Sequence, residues 1–97
     1  MATFIALINF TQQGLSGIKD TAKRAGAARE AAQKAGASIR EIYWTLGTHD
    51  GVLILDAPDD ETATAVLLNI ARLGNVQTQT LRAFGEKEIA KVLGKVG

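Results

Sequence analysis

Residues 38–56 read SIREIYWTLGTHDGVLILD, and this stretch decides the fold. Two runs rich in β-branched and aromatic residues, Ser38 to Leu46 and Val52 to Asp56, flank Gly47-Thr48-His49-Asp50-Gly51, which has the composition of a hairpin turn. Next, Ala57-Pro58-Asp59-Asp60-Glu61 is a helix start, with a proline near the first turn and carboxylates favoured by the helix dipole. Ala63, Val66, Leu67, Ile70 and Ala71 recur at helical spacing, and Gly74-Asn75 closes that helix. Val76 to Phe84 is a further strand.

Working back towards the N-terminus, Thr3 to Phe10 is short, apolar and partly β-branched, a strand ended by Thr11-Gln12-Gln13-Gly14. A helix is expected from Leu15 or Ser16, with Ser16 as its N-cap and Gly36 as its stop. Leu15, Ile18, Ala22, Ala25, Ala28 and Ala32 share one side, and Lys19, Lys23, Arg24 and Glu30 the wet one. Alanines and Gly26 bury little area but admit a close backbone, so intimate packing is expected. After Phe84, residues 86–96 place Ile89, Val92, Leu93 and Val96 opposite lysines, which predicts a short C-terminal helix.

The order is therefore βαββαβ over residues 1–97, a single α+β domain of ferredoxin-like plan: a four-stranded antiparallel sheet with two helices on one face. The other face carries apolar side chains too, since Phe4, Ala6, Ile8 and Phe10 alternate with Ile5 and Leu7, and Val52 to Leu55 is apolar on both sides. Soluble monomers rarely expose apolar patches beyond a few hundred Å². One short C-terminal helix is too small a cover, so the expected cover is a second copy of the chain.

Composition excludes several classes. Apolar residues make up 46% and charged ones 22%, the balance of a globular protein. No apolar run reaches the roughly 18–20 residues of a membrane-spanning helix, and the N-terminus has no signal-peptide pattern. With no cysteine and one histidine, a thiolate or zinc site lacks its usual ligands; no metal or cofactor is expected, and a reducing cytoplasm fits. The net charge of +1 provides no field for nucleic acid, and the basic side of the first helix lacks interleaved aromatics. Residues 19–34 nonetheless carry five basic and two acidic groups, whereas residues 50–61 carry five acidic and no basic ones. Such asymmetry fits neighbouring elements or subunits.

The run from Tyr43 to Val52, then Asp56-Ala57-Pro58-Asp59-Asp60, then Gly74 to Phe84 resembles the GYD-domain family of small bacterial proteins over nearly the whole chain. Gly47 and Asp50 match the family's naming motif, but His49 stands where the family usually has tyrosine, so no role of that tyrosine hydroxyl carries over. The resemblance implies a dimeric α+β-barrel architecture and no particular activity.

Six residues are candidates for a ligand site. His49 beside Asp50 offers an imidazole and a carboxylate, although neighbours in extended chain point to opposite sides; the plainer reading is a turn in which Asp50 binds amides. Thr78, Thr80 and Arg82 alternate along the last strand, and Asn9, Tyr43 and Thr45 share a side of the first two. If both sets lie on the face away from the helices, they line a polar-edged pocket at the subunit interface, with Arg82 binding anions and Tyr43 donating. Alternatively, Arg82 pairs with a carboxylate such as Asp50 as structural glue. Gly14-x-x-Gly17 lacks the P-loop pattern and reads as loop flexibility. The run Asp56, Asp59, Asp60, Glu61 lacks EF-hand spacing and reads as helix capping, and Trp44, between Ile42 and Leu46 in alternation, reads as core. The leading functional reading is a cytoplasmic homo-oligomeric module that binds a small molecule or serves assembly or regulation. The alternative is a cofactor-less enzyme, monooxygenase- or isomerase-like, acting on a small aromatic or polyketide-like substrate, with His49 or Tyr43 as its acid–base group.

Overall fold

The structure, a computed structural model, describes residues 1–97. Four strands, β1 (Ala2–Phe10), β2 (Ser38–Trp44), β3 (Gly51–Ala57) and β4 (Val76–Ala83), form one antiparallel sheet in the order β2-β3-β1-β4. Helices α1 (Gln12–Ser16) and α2 (Thr21–Lys34) follow β1, α3 (Asp60–Ala71) links β3 to β4, and α4 (Glu86–Leu93) follows β4. This is the expected βαββαβ order with two long helices on one face.

Register gives each face its composition. Phe4 and Ala6 of β1, Leu53, Leu55 and Ala57 of β3 and Ile39 of β2 point to the helices and pack with Ala32, Ala37, Ala63, Val66 and Leu67 in the buried core. At about 25 cal/mol per Å² of apolar surface, that layer is the main stabilising term. A β-bulge between Ile39 and Glu41 shifts the phase of β2, so that Ile39, Ile42 and Trp44 all face the helices. Arg29 of α2 donates to the carbonyl oxygen of Ile39 at 2.8 Å, next to the bulge.

The opposite face has no covering element. Ile5 and Leu7 of β1, Val52 and Ile54 of β3, Leu81 of β4 and Tyr43 of β2 form its centre. Its rim is polar: Asp56 accepts from the Thr3 hydroxyl (2.9 Å) and pairs with Arg40 Nε (3.1 Å).

Several local expectations change. The first helix does not start at Ser16. Thr11 is the cap, its hydroxyl accepting from Gly14 N at 3.1 Å, and α2 begins only at Thr21 after a 3-10 turn. Gly14 serves close approach rather than flexibility: it is buried, and a Cβ there would overlap the carbonyl oxygen of Asn75. Around it the two loops are clasped, with Thr11 N donating to Asn75 O (3.1 Å), the Thr11 hydroxyl to Gly74 O (2.6 Å) and Gln13 Nε2 to Leu73 O (2.8 Å). Gly26, by contrast, faces open space, so it brings no backbone close. Gly36, at φ +88°, ends α2 as expected, in a conformation that costs other residues steric strain. Asp59 caps α3 through Thr62 N at 2.8 Å, and this amide hydrogen bond holds its carboxyl below the usual range. Trp44 is half exposed and Leu46 fully so; neither is core, because Leu46 lies beyond the end of β2.

Gly14→Ala is expected to lower stability by about 1–3 kcal/mol, the usual range for overpacking, as a fall in the urea midpoint. The same change at Gly26 is expected to stabilise α2, since alanine replaces an exposed mid-helix glycine.

Candidate functional site

The β2–β3 connection is tied to the end of β1. Asp50 N donates to Ile8 O (2.8 Å), its carboxylate accepts from Phe10 N (2.9 Å), and its carbonyl accepts from Thr45 N (2.9 Å). The Thr45 hydroxyl donates to His49 O at 2.6 Å. Asn9 completes the knot. Its amide NH₂ donates to Thr48 O (2.8 Å), which leaves its oxygen 2.9 Å from His49 Nδ1. An amide oxygen can only accept, so Nδ1 is the donor in this contact. His49 and Asp50 thus bind different partners and do not act as a dyad.

Asp50 also reaches a pocket that sequence reasoning missed. Between the N-terminal half of α2 and the sheet lies a mostly apolar cavity of about 80 Å³. Ile8, Phe10, Ile42 and Leu53 form its floor and Ala25 and Ala28 its roof; Asp50, Arg24 and Thr21 supply polar groups. The alanine side of α2, expected to pack tightly, does so only around the fully buried Ala32. Nearer its N-terminus the same small side chains leave the space unfilled. Trp44 lies at the mouth, its indole N–H donating to the Thr21 hydroxyl at 3.0 Å. Arg24, expected on the wet side, donates to the carbonyls of Gly14 (3.3 Å) and Gly17 (2.6 Å). A helix contacting the sheet only through alanines was the one available signal for such a void.

The remaining candidates lie apart from this pocket and from each other. Thr78, Thr80 and Arg82 pair with Ile8, Ala6 and Phe4, and so lie on the helix side of β4, not on the open face. There they line a groove of about 530 Å³ against α3, with Phe4, Ala63, Leu67, Leu68 and Ala71. Arg82 does not meet Asp50. Its guanidinium lies over the rings of Phe84 (4.5 Å) and Phe4 (5.7 Å), pairs with Glu88 at 3.0 Å and donates to Ala83 O. Glu88 in turn accepts from Gly85 N (3.4 Å), and the Arg82 contact, then this amide, hold its carboxyl below the usual range. Tyr43 borders the pocket wall, but its phenol, on the open face, donates to Glu41, and that carboxylate raises its pKa. A single pocket uniting all six residues does not exist, because the two edge strands present their polar rows to opposite faces. No three His, Cys, Asp or Glu side chains converge as metal ligands, and no helix is long and apolar enough to cross a membrane.

Fold and loop geometry place the chain among ferredoxin-like α+β proteins, and comparison with known proteins narrows this. The chain belongs to the GYD domain family, whose model matches residues 4–93. Among solved structures it is similar to TTHA0845 from Thermus thermophilus, at 28% identity and a TM-score of 0.57 over 88% of this chain and 95% of that one. It shares its fold with the feast or famine regulatory protein of M. tuberculosis, solved in complex with L-methionine (16% identity, TM-score 0.67, 88% of this chain and 51% of that one). The same holds for MtbAldR (13% identity, TM-score 0.68, 88% and 54%), so the chain spans about half the length of these two proteins. No curated protein sequence matches it.

Asp50→Ala is expected to cost about 1–3 kcal/mol by leaving the Phe10 amide without its acceptor, measured by urea unfolding. For Glu88 the lowered carboxyl sets the sign: its contacts are complete above the ordinary range, about pH 4.3, and are lost as pH falls through the lowered value. Order parameters of residues 86–93 are therefore expected to fall on acidification, and at neutral pH in Glu88→Gln.

Proposed function

We propose that this chain is a homo-oligomeric module that binds a small, mainly apolar molecule beneath α2, in the cytoplasm. The observation that carries the reading is the cavity itself: an apolar floor and roof with a few converging polar groups, the usual make-up of a small-molecule site. An engineered cavity of about 150 Å³ takes benzene, so about 80 Å³ suits a smaller apolar group, with the rest of the ligand emerging past Trp44. Asp50 is an acceptor at the wall, which favours ligands carrying an N–H or O–H donor. In the M. tuberculosis regulatory protein the same fold accompanies a small-molecule complex.

Self-association through the open sheet face belongs to the same reading. Ile5, Leu7, Val52, Ile54 and Leu81 form a contiguous apolar centre inside a polar rim, the make-up of an interface core. His49 does not line the cavity and the Tyr43 phenol donates to Glu41 on the open face, which favours binding over acid–base catalysis at this site.

Indole, an apolar ring with one N–H donor, is the probe. It is expected to raise the thermal midpoint of the wild type and to leave Ala28→Leu, in which the roof fills the cavity, unshifted. A shift of equal size in Ala28→Leu sinks the proposed site. Ile54→Lys is expected to dissociate the sheet-mediated oligomer in light scattering at micromolar concentration; an unchanged mass refutes that interface.

A further inference from the structure

The chain exposes more surface than its size requires. A compact monomer of this mass shows roughly 5,400 Å², and this chain shows 6533 Å². Its radius of gyration is 14.5 Å, against roughly 12.5 Å for a compact domain of this length. The surplus of roughly 1,100 Å² compares with the roughly 800 Å² that each partner buries in a standard interface. Helix α4 contributes to it, since none of its residues is buried. Ile89, Val92 and Leu93 form an exposed apolar stripe, with Val96 exposed just past its end, and Lys87 and Lys91 occupy the opposite side. The stripe is what a helix presents to a groove.

The direction of α4 is set by a joint rather than left to chance. Glu88 uses one carboxylate oxygen for Arg82 and the other for Gly85 N, while Arg82 lies over Phe4 and Phe84. Only Phe84 and Gly85 separate β4 from α4, and folding back onto the same chain would require a reversal that breaks this joint. The groove between α3 and β4 begins beside the joint. It is about 530 Å³, with Phe4, Ala63, Leu67, Leu68 and Ala71 as its apolar wall and Asp60, Thr64, Thr78, Thr80 and Arg82 as its polar one, and Leu68 is 63% exposed. The Thr64 hydroxyl in its wall is already bonded to Asp60 O at 2.7 Å, so covering that one hydroxyl strands no donor.

We propose that α4 is an exchange arm that docks its apolar stripe into the α3–β4 groove of a second copy of this chain. Arm and groove adjoin in each copy, so one two-fold axis satisfies both at once, as a closed isologous contact demands. The lysines stay in water on the arm's outer side. This contact uses a surface separate from the open sheet face.

The chain has no cysteine, which makes the test direct. Leu68→Cys and Val92→Cys are prepared separately, mixed and mildly oxidised. The expected product is a disulfide-linked dimer formed in the mixture at least tenfold faster than in either variant alone. Val92→Asp, at an exposed position of α4, is expected to weaken self-association at least tenfold in analytical ultracentrifugation with its thermal midpoint unchanged at a concentration where both proteins are monomeric. No cross-linked dimer in the mixture, or an intrachain disulfide in dilute Leu68→Cys/Val92→Cys, overturns the proposal. Association lost in Ile54→Lys but untouched in Val92→Asp overturns the arm and leaves the sheet interface standing; the converse result removes the sheet interface and leaves the arm.

Discussion

The backbone of β1 is hydrogen-bonded along both edges, to β3 from Ala2 to Ile8 and to β4 from Thr3 to Phe10. Because side chains alternate along a strand, these two registers assign a face to every residue of three strands at once. Phe4 and Ala6 turn inward, which puts Leu53 and Leu55 beside them in the core and Thr80 and Arg82 beside them at the groove. A slip of one residue in the β1–β3 pairing would set Ile5 and Leu7 beside the core leucines in place of Phe4 and Ala6, and one in the β1–β4 pairing would turn Thr80 and Arg82 to the open face. The knot at Asp50 and the clasp between Thr11, Gly74 and Asn75 both act at the same end of β1. They hold the hairpin and the α3–β4 loop to it, and so keep the registers in place.

Element order was legible in the sequence because each signal was local. Pro58 with its carboxylates, Gly36, and the run from Val52 to Leu55 each specify their own segment without reference to a neighbour. Facing was not legible in the same way. The threonine–arginine row of β4 could be recognised as one face, but which face depends on pairing with β1, a contact some seventy residues away in sequence (Thr80 opposite Ala6). In β2 the alternation of Ile42 and Trp44 holds after the bulge, but Trp44 ends the strand at the pocket mouth and Leu46 lies beyond it, so neither is core. The family resemblance located Gly47 and Asp50, and the structure shows why an aspartate serves there: it closes the β1 end through a backbone amide and reaches the cavity wall.

Helix α2 shows how one composition gives two outcomes. Where Ala32 meets the sheet, the small side chain allows contact without a void, and the residue is fully buried. A turn or two earlier, where Arg24 binds the carbonyls of Gly14 and Gly17, Ala25 and Ala28 no longer fill the interval. Position relative to the clasped loop, not residue type, separates packing from pocket. The basic run of this helix is likewise used locally, since Arg24 and Arg29 serve backbone carbonyls rather than the acidic segment at residues 50–61.

That arrangement divides labour between the two walls of the cavity. Its floor consists of sheet residues whose neighbours across the strand also serve the core or the open face, so a change there disturbs the whole layer. Its roof is two alanines on a helix whose outer side is free. Volume and shape of the chamber can therefore be rewritten at Ala25, and at Ala28 where it borders the core, without altering the sheet. Within a lineage built on this scaffold, the shape of the chamber is free to diverge while the sheet keeps its form.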